Sequence, residues 1–286
     1  MTRFLKFQKV LLGMIFSLMA LGTGVRAMKA GLACPDWPLC FGQVIPDFHV
    51  GVYFEFIHRA DAGLIGLLYV GGFFFLMRRK DVDLSARRMA WLGLVLLLAQ
   101  ILAGGMTVLH LLKPVVVTTH LALATLFLLT NIWMYWSLKP EVEDSAYYPS
   151  GWYALFASLI PYIVFAQMLL GGLVASTYSA MACVDFPLCN GQFIPTFSGP
   201  IGLQVMHRLG AYTVAVLVGL FFWLTRLWAG KRWMTNQMKR QALLMFVAVL
   251  VQIAVGAANV LMLIPAWLTV LHLVVATTLL LLSVRM

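Results

Sequence analysis

One register of 149 residues constrains this chain more than any other feature. Cys34-Pro-Asp-Trp-Pro-Leu-Cys40-Phe-Gly-Gln-Val-Ile-Pro46 is followed by Glu55-Phe-Ile-His58-Arg59. Downstream, Cys183-Val-Asp-Phe-Pro-Leu-Cys189-Asn-Gly-Gln-Phe-Ile-Pro195 is followed by Gln204-Val-Met-His207-Arg208. Both cysteines, the closing proline and the His-Arg pair recur at the same offset of 149. The chain is therefore two copies of one unit, and the places where the copies differ carry information about function.

What each copy can fold into follows from its solvent. The chain is 62% hydrophobic and 10% charged, which excludes a soluble core as the main architecture. Apolar runs of about 20 residues, enough to cross a bilayer, occupy roughly 10–28, 53–77, 89–109, 115–137, 153–176, 201–227, 242–262 and 266–284. They do not alternate apolar and polar residues as barrel strands do. The expected fold is an all-α integral membrane protein of eight transmembrane helices, arranged as two pseudo-symmetric four-helix bundles. A polar linker around Glu141, Glu143 and Asp144 places the boundary near residue 150, giving units of 1–150 and 151–286.

A net charge of +10 raises the question of an acidic partner. Its placement answers otherwise. Arg78, Arg79, Lys80, Arg87 and Arg88 share one loop, and Arg226, Lys231, Arg232, Lys239 and Arg240 share another. Lys6 and Lys9 precede the first span and Arg285 follows the last. With eight spans these all fall on one side, which the positive-inside rule makes cytoplasmic. The basicity reads as topology in a plasma (inner) membrane, with both termini cytoplasmic, and not as a nucleic-acid footprint. Arg3, Lys6 and Lys9 ahead of an apolar run also resemble a signal peptide. Because the repeat sets this segment opposite Gly171 to Ser176, it is expected to belong to the fold.

All four cysteines then lie in two outer loops, about 29–52 and 177–200. In an oxidising compartment they read naturally as Cys34–Cys40 and Cys183–Cys189 disulfides. Other pairings are open at this level, as is the choice between a structural staple and a redox-active pair.

Four histidines stand at matching depth. His58 lies about six residues into its helix, His120 six past Pro114, His207 seven past Pro200 and His272 seven past Pro265. At about 1.5 Å per residue, each is roughly 9–11 Å below the outer surface. Two neutral imidazoles facing each other across a bundle suit a six-coordinate heme iron. Zinc or copper would want further Cys, His or carboxylate ligands. His58 with His120 forms one expected site and His207 with His272 the other, with small residues such as Gly63, Ala124, Gly210 and Ala276 leaving room for a flat macrocycle. Arg59 and Arg208 are candidates either for heme propionates or for snorkelling. Gln100, Gln167 and Gln252 each stand four before a glycine, which suggests interhelical packing with a hydrogen bond.

Glu55 is the main difference between copies, since Gln204 takes its place. Three residues before His58, it shares that helical face. A buried carboxylate there suits taking or holding a proton, or stabilising a developing positive charge; pairing with Arg59 at i+4 is its bland role. His49 and His110 lack repeat partners and read as surface or packing residues.

The paired Cys-x5-Cys loops, the Trp-Pro and Phe-Gly-Gln that accompany the first, Glu-Phe-Ile-His-Arg at 55–59 and the four helix histidines together resemble the heme A synthase family, over nearly the whole chain. The resemblance implies a membrane oxidoreductase that converts the C8 methyl of heme O to a formyl group. It implies a cofactor heme b held by His207 and His272, with Arg208 nearby. The substrate heme O would be held by His58 and His120 with Arg59, and Glu55 would be catalytic. It further implies oxygen drawn from water through successive hydroxylations. A heme O-forming prenyltransferase, oxidase assembly factors and membrane lipids would be its partners. Neither the electron acceptor nor a homo-oligomer is fixed by these residues.

Two other classes use part of the same pattern. A quinol-linked di-heme b-type membrane electron carrier explains the histidines but leaves the Glu55/Gln204 difference without a role. A quinone-linked disulfide-forming protein uses the cysteines and leaves the histidines idle.

Overall fold

The computed structural model describes residues 1–139, 151–231 and 234–284. Among them, eight helices are long and apolar enough to cross a membrane. These are α1 (Thr2–Ala27), α2 (Val50–Arg78), α3 (Leu84–Leu109), α4 (Pro114–Ser137), α5 (Trp152–Ser176), α6 (Gly199–Leu227), α7 (Asn236–Leu261) and α8 (Ala266–Ser283). The chain divides into two compact units, Met1–Val142 and Glu143–Met286, with four helices each. The linker expected around Glu141, Glu143 and Asp144 lies outside the described residues, as do Arg232 and Arg285.

The helices begin where their sequences permit it. Pro114 opens α4 in the first turn, where its missing N–H costs nothing. Asp83 and Thr235 cap α3 and α7 by accepting from the backbone amides of Ser85 and Met238. Between 17% and 33% of each span is buried, so the remaining surface is a broad apolar face suited to lipid.

Unit 1 closes around Leu11, Ile15, Ile65, Leu76 and Leu128, all nearly inaccessible. Apolar burial alone gives little drive between helices in lipid, so polar contacts and close approach matter more. Gln8 Nε2 donates to Asn131 Oδ1 at 3.1 Å between α1 and α4. Tyr69 Oη donates to the Ala90 carbonyl at 2.7 Å, tying α2 to α3 across Gly93, where a Cβ would collide with the phenol. Unit 2 closes around Ile160, Val218, Phe221, Met245 and Leu280, with Gln241 donating from α7 to the Leu282 carbonyl.

The repeat extends to backbone detail. Lys29 and its counterpart Tyr178 both have φ of 56°. The α3–α4 and α7–α8 turns each use two consecutive left-handed residues, Leu111 and Leu112 in one, Leu263 and Ile264 in the other. The same amide-to-carbonyl bonds close both turns, Leu112 to Thr107 and Ile264 to Asn259. In each unit these turns share an end with the Cys loop, while the basic α2–α3 and α6–α7 connections lie at the opposite end.

Candidate functional site

The Cys loops are built from four parts. Disulfides join Cys34 to Cys40 and Cys183 to Cys189, with Cα atoms 4.8 and 4.6 Å apart, which settles the pairing. Inside each ring an aspartate organises the return of the chain. Asp36 accepts from the amides of Phe41 and Gly42, both at 2.7 Å. Asp185 accepts from Asn190 at 2.6 Å and Gly191 at 2.8 Å. These hydrogen bonds, from Gly42 and Gly191 foremost, hold both carboxyls below the ordinary aspartate value. Gly42 and Gly191 are required here, with φ of 69° and 76°.

The fourth part is the arginine beside each helix histidine. Arg59 donates from Nη1 to the carbonyls of Asp36 (2.7 Å) and Leu39 (2.8 Å), and from Nη2 to that of Cys34 (3.2 Å). Arg208 repeats this on Leu188, Asp185 and Cys183. Such charge-assisted bonds contribute about 1.5–3 kcal/mol each. Candidates from sequence for propionates or for snorkelling, both guanidinium groups clamp the Cys loop onto the N-terminal turns of α2 and α6. Sequence reasoning missed this clamp because its acceptors are backbone carbonyls, which no residue identity announces.

The copies part at the arginine Nε. In unit 1 it donates to Glu55 Oε1 at 2.8 Å, one helical turn away. Glu55 is 7% exposed, so this ion pair is removed from bulk water. In unit 2 Gln204 is equally buried, but its Oε1 has no partner.

The four histidines follow one rule. Each imidazole sits over a glycine of the preceding helix. A Cβ placed at Gly22, Gly104, Gly171 or Gly256 would stand 2.8, 3.2, 2.9 or 2.9 Å from Cε1 of His58, His120, His207 or His272. Ordinary carbon contacts need about 3.5–4.0 Å, so a methyl at Gly22, Gly171 or Gly256 would force the ring to shift, and one at Gly104 would crowd it. One turn before three of these glycines stands a glutamine. Gln100 Nε2 lies 3.3 Å from His120 Nε2, and Gln252 Nε2 lies 3.2 Å from His272 Nε2. Gln167 Nε2 lies 3.0 Å from His207 Nδ1 and donates to its carbonyl at 2.8 Å. The hydrogen bond expected of these glutamines is present; its histidine partner was the missing piece.

In unit 2 the pair is brought together, with the His207 and His272 ring centroids 6.5 Å apart and their planes at 73°. In unit 1 His58 and His120 occupy the matching positions on α2 and α4. Nδ1 of His58, His120 and His272 is buried without a partner. Among the described residues no three His, Cys, Asp or Glu side chains gather as a metal cage. His49 and His110 are exposed at helix ends.

Fold and site together define a class: a multi-pass membrane protein whose duplicated bundles each carry two glycine-backed imidazoles beneath a disulfide loop. The model of the cytochrome oxidase assembly protein family (COX15-CtaA) matches residues 45–284, and the chain belongs to that family. A heme A synthase of Halalkalibacterium halodurans is 30% identical over 258 residues, covering 87% of this chain and 84% of the relative. One of Shewanella oneidensis is 27% identical, covering 91% and 88%. One of Shouchella clausii is 30% identical, covering 77% of each.

Proposed function

We propose that this chain is a heme A synthase, which oxidises the C8 methyl of heme O to a formyl group. The observation that carries the reading is the His207–His272 pair, 6.5 Å between centroids. A metal-to-imidazole-nitrogen bond of about 2 Å, with roughly 1 Å more from nitrogen to ring centre, puts two imidazoles on one iron about 6 Å apart. The other observations fit the same group. One ring nitrogen of His120, His207 and His272 faces a glutamine Nε2, and a metal-bound histidine is oriented through its second nitrogen, from which it donates. The glutamine oxygens left without partners at Gln100 and Gln252 can turn to accept from a ring N–H.

In this reading His207 and His272 hold a resident heme b, and His58 and His120 hold the substrate heme. Bound heme would supply reversible one-electron chemistry, tuned by the histidines that would hold it. The conversion of methyl to formyl removes four electrons and four protons overall, with one oxygen entering from water. Among the described residues, Glu55 is the only carboxylate ion-paired beside one of the proposed ligand histidines. It holds or takes a proton at Oε2, while Oε1 stays fixed by Arg59 Nε. The Cys34–Cys40 loop, clamped by Arg59, covers that end of the bundle and limits access of water. Arg59 and Arg208 reach a propionate only with the N–H groups that the loop carbonyls leave over. The basic connections support cytoplasmic termini and Cys loops outside the plasma membrane, by the positive-inside rule. The enzyme that makes heme O, oxidase assembly factors and surrounding lipid are the partners this implies.

The test is extraction of pigments from protein purified from cells that make heme O. Heme A with the wild-type chain, lost in Glu55→Gln, supports the enzyme. Heme B alone in both, with intact redox spectra, supports a di-heme electron carrier instead.

A further inference from the structure

His58 stands apart from the other three imidazoles. Gly22 backs it as Gly171 backs His207, and the two surroundings share one register of 149. One turn before Gly171 is Gln167, bonded to the His207 ring; one turn before Gly22 is Leu18. Leu18 and Gln167 are both half-buried, so the position faces the bundle in each case. His58 has no side-chain hydrogen bond among the described residues, and its Nδ1 is buried and unpartnered.

A side-chain partner at the second ring nitrogen orients a metal-bound imidazole, and its loss lowers metal affinity about 10- to 100-fold. We propose that Leu18 is a positioning residue that leaves His58 the weakest of the four ligands and makes the first unit the exchangeable heme site. This rests on the heme-ligand reading above. His120, held by Gln100, keeps the heme oriented while the His58 side lets go. The second unit, with glutamine on both ligands, retains its heme. A site that must admit a substrate porphyrin and discharge a product needs this difference, and a resident carrier needs its absence. A cleft of about 630 Å³ opens at the Cys-loop end of unit 1. Met28, Lys29, Phe48, His49 and Val52 line it, between the end of α1 and the first turn of α2.

The experiment is release of heme b from the loaded full-length protein to excess apomyoglobin, followed by absorbance. The wild-type chain should release in two phases. Leu18→Gln should slow the fast phase about 10- to 100-fold, and Leu18→Met, of similar shape without the hydrogen bond, should not. Gln167→Leu should speed the slow phase by a comparable factor. Electron paramagnetic resonance of the ferric first-unit heme should shift in Leu18→Gln alone. A fast phase unchanged by Leu18→Gln, or one release rate common to both units, overturns the proposal. If His58→Ala and His120→Ala leave the fast-releasing heme in place, the ligand assignment itself fails. If they remove it while Leu18→Gln behaves as wild type, only the role of Leu18 fails.

Discussion

Glu55 Oε1 and Arg59 Nε are 2.8 Å apart, and the same guanidinium holds the carbonyls of Cys34, Asp36 and Leu39. The candidate catalytic carboxylate and the cover over its site are thus fastened to one side chain. Glu55→Gln keeps the shape and removes the charge that Arg59 faces. It should cut heme A formation by about 100-fold or more, the usual contribution of a positioned acid–base group. Heme content should stay near wild type in the pyridine hemochrome spectrum. Glu55→Asp, which keeps the charge but draws it back, should retain part of the activity.

The arginine clamp is open to a direct measurement. Lysine keeps the charge of Arg59 or Arg208 but cannot reach three carbonyls in a fixed fork. Losing even one charge-assisted bond of about 1.5 kcal/mol should raise the open population of the loop about tenfold. Arg59→Lys should therefore speed the thiol-dependent reduction of Cys34–Cys40, read by alkylation and mass shift. Cys183–Cys189 should be unaffected, and Arg208→Lys should give the converse.

Glycine backing predicts a different failure. Alanine at Gly171 or Gly256 puts a methyl 2.9 Å from an imidazole carbon, and the ring must move to admit it. Gly171→Val and Gly256→Val should each abolish the low-spin spectrum of the second-unit heme while leaving the first. Gly104→Val should do the reverse. Gly71→Val, where a Cβ meets nothing within 4 Å, should leave both spectra intact.

The loop aspartates give a pH signature. Asp36 and Asp185 titrate below 3.8 because backbone amides, those of Gly42 and Gly191 foremost, favour the ionised form. A folded value below the unfolded one contributes stability that is complete above about pH 4 and is lost as pH falls through the folded value. Exchange protection of the Gly42 and Gly191 amides should therefore be flat from neutral pH to about 4 and decline below it. Asp36→Asn and Asp185→Asn should lower protection throughout and remove the dependence on pH.

The eight spans and the Cys pairing were legible because each rests on a local signal, an apolar run or two cysteines in a short ring. The beginning of α1 was not. It starts at Thr2, where an apolar-run reading begins near residue 10, because Arg3, Lys6 and Lys9 are good helix formers outside the apolar stretch. Similarly α7 begins at Asn236 and takes in the polar segment to Gln241. The glutamines were visible as Gln-x3-Gly, but sequence spacing within one helix does not say which neighbour the side chain meets. The same limit hid the backing glycine of His58, since Gly22 has no glutamine before it to mark the pattern. Arg59 and Arg208 drew attention through their charge, and charge pointed to a carboxylate. The backbone carbonyls that hold them come from a loop whose path depends on Asp36 and Asp185, and on glycines in the left-handed region.

Arg59 follows His58 in the chain, and Arg208 follows His207. The fastening of each surface loop and the imidazole proposed to hold each porphyrin therefore ride on a single turn of helix. A tug on the exposed loop, from a docking protein or a broken cystine, would be transmitted as rotation of that turn, and the imidazole beneath would feel it first.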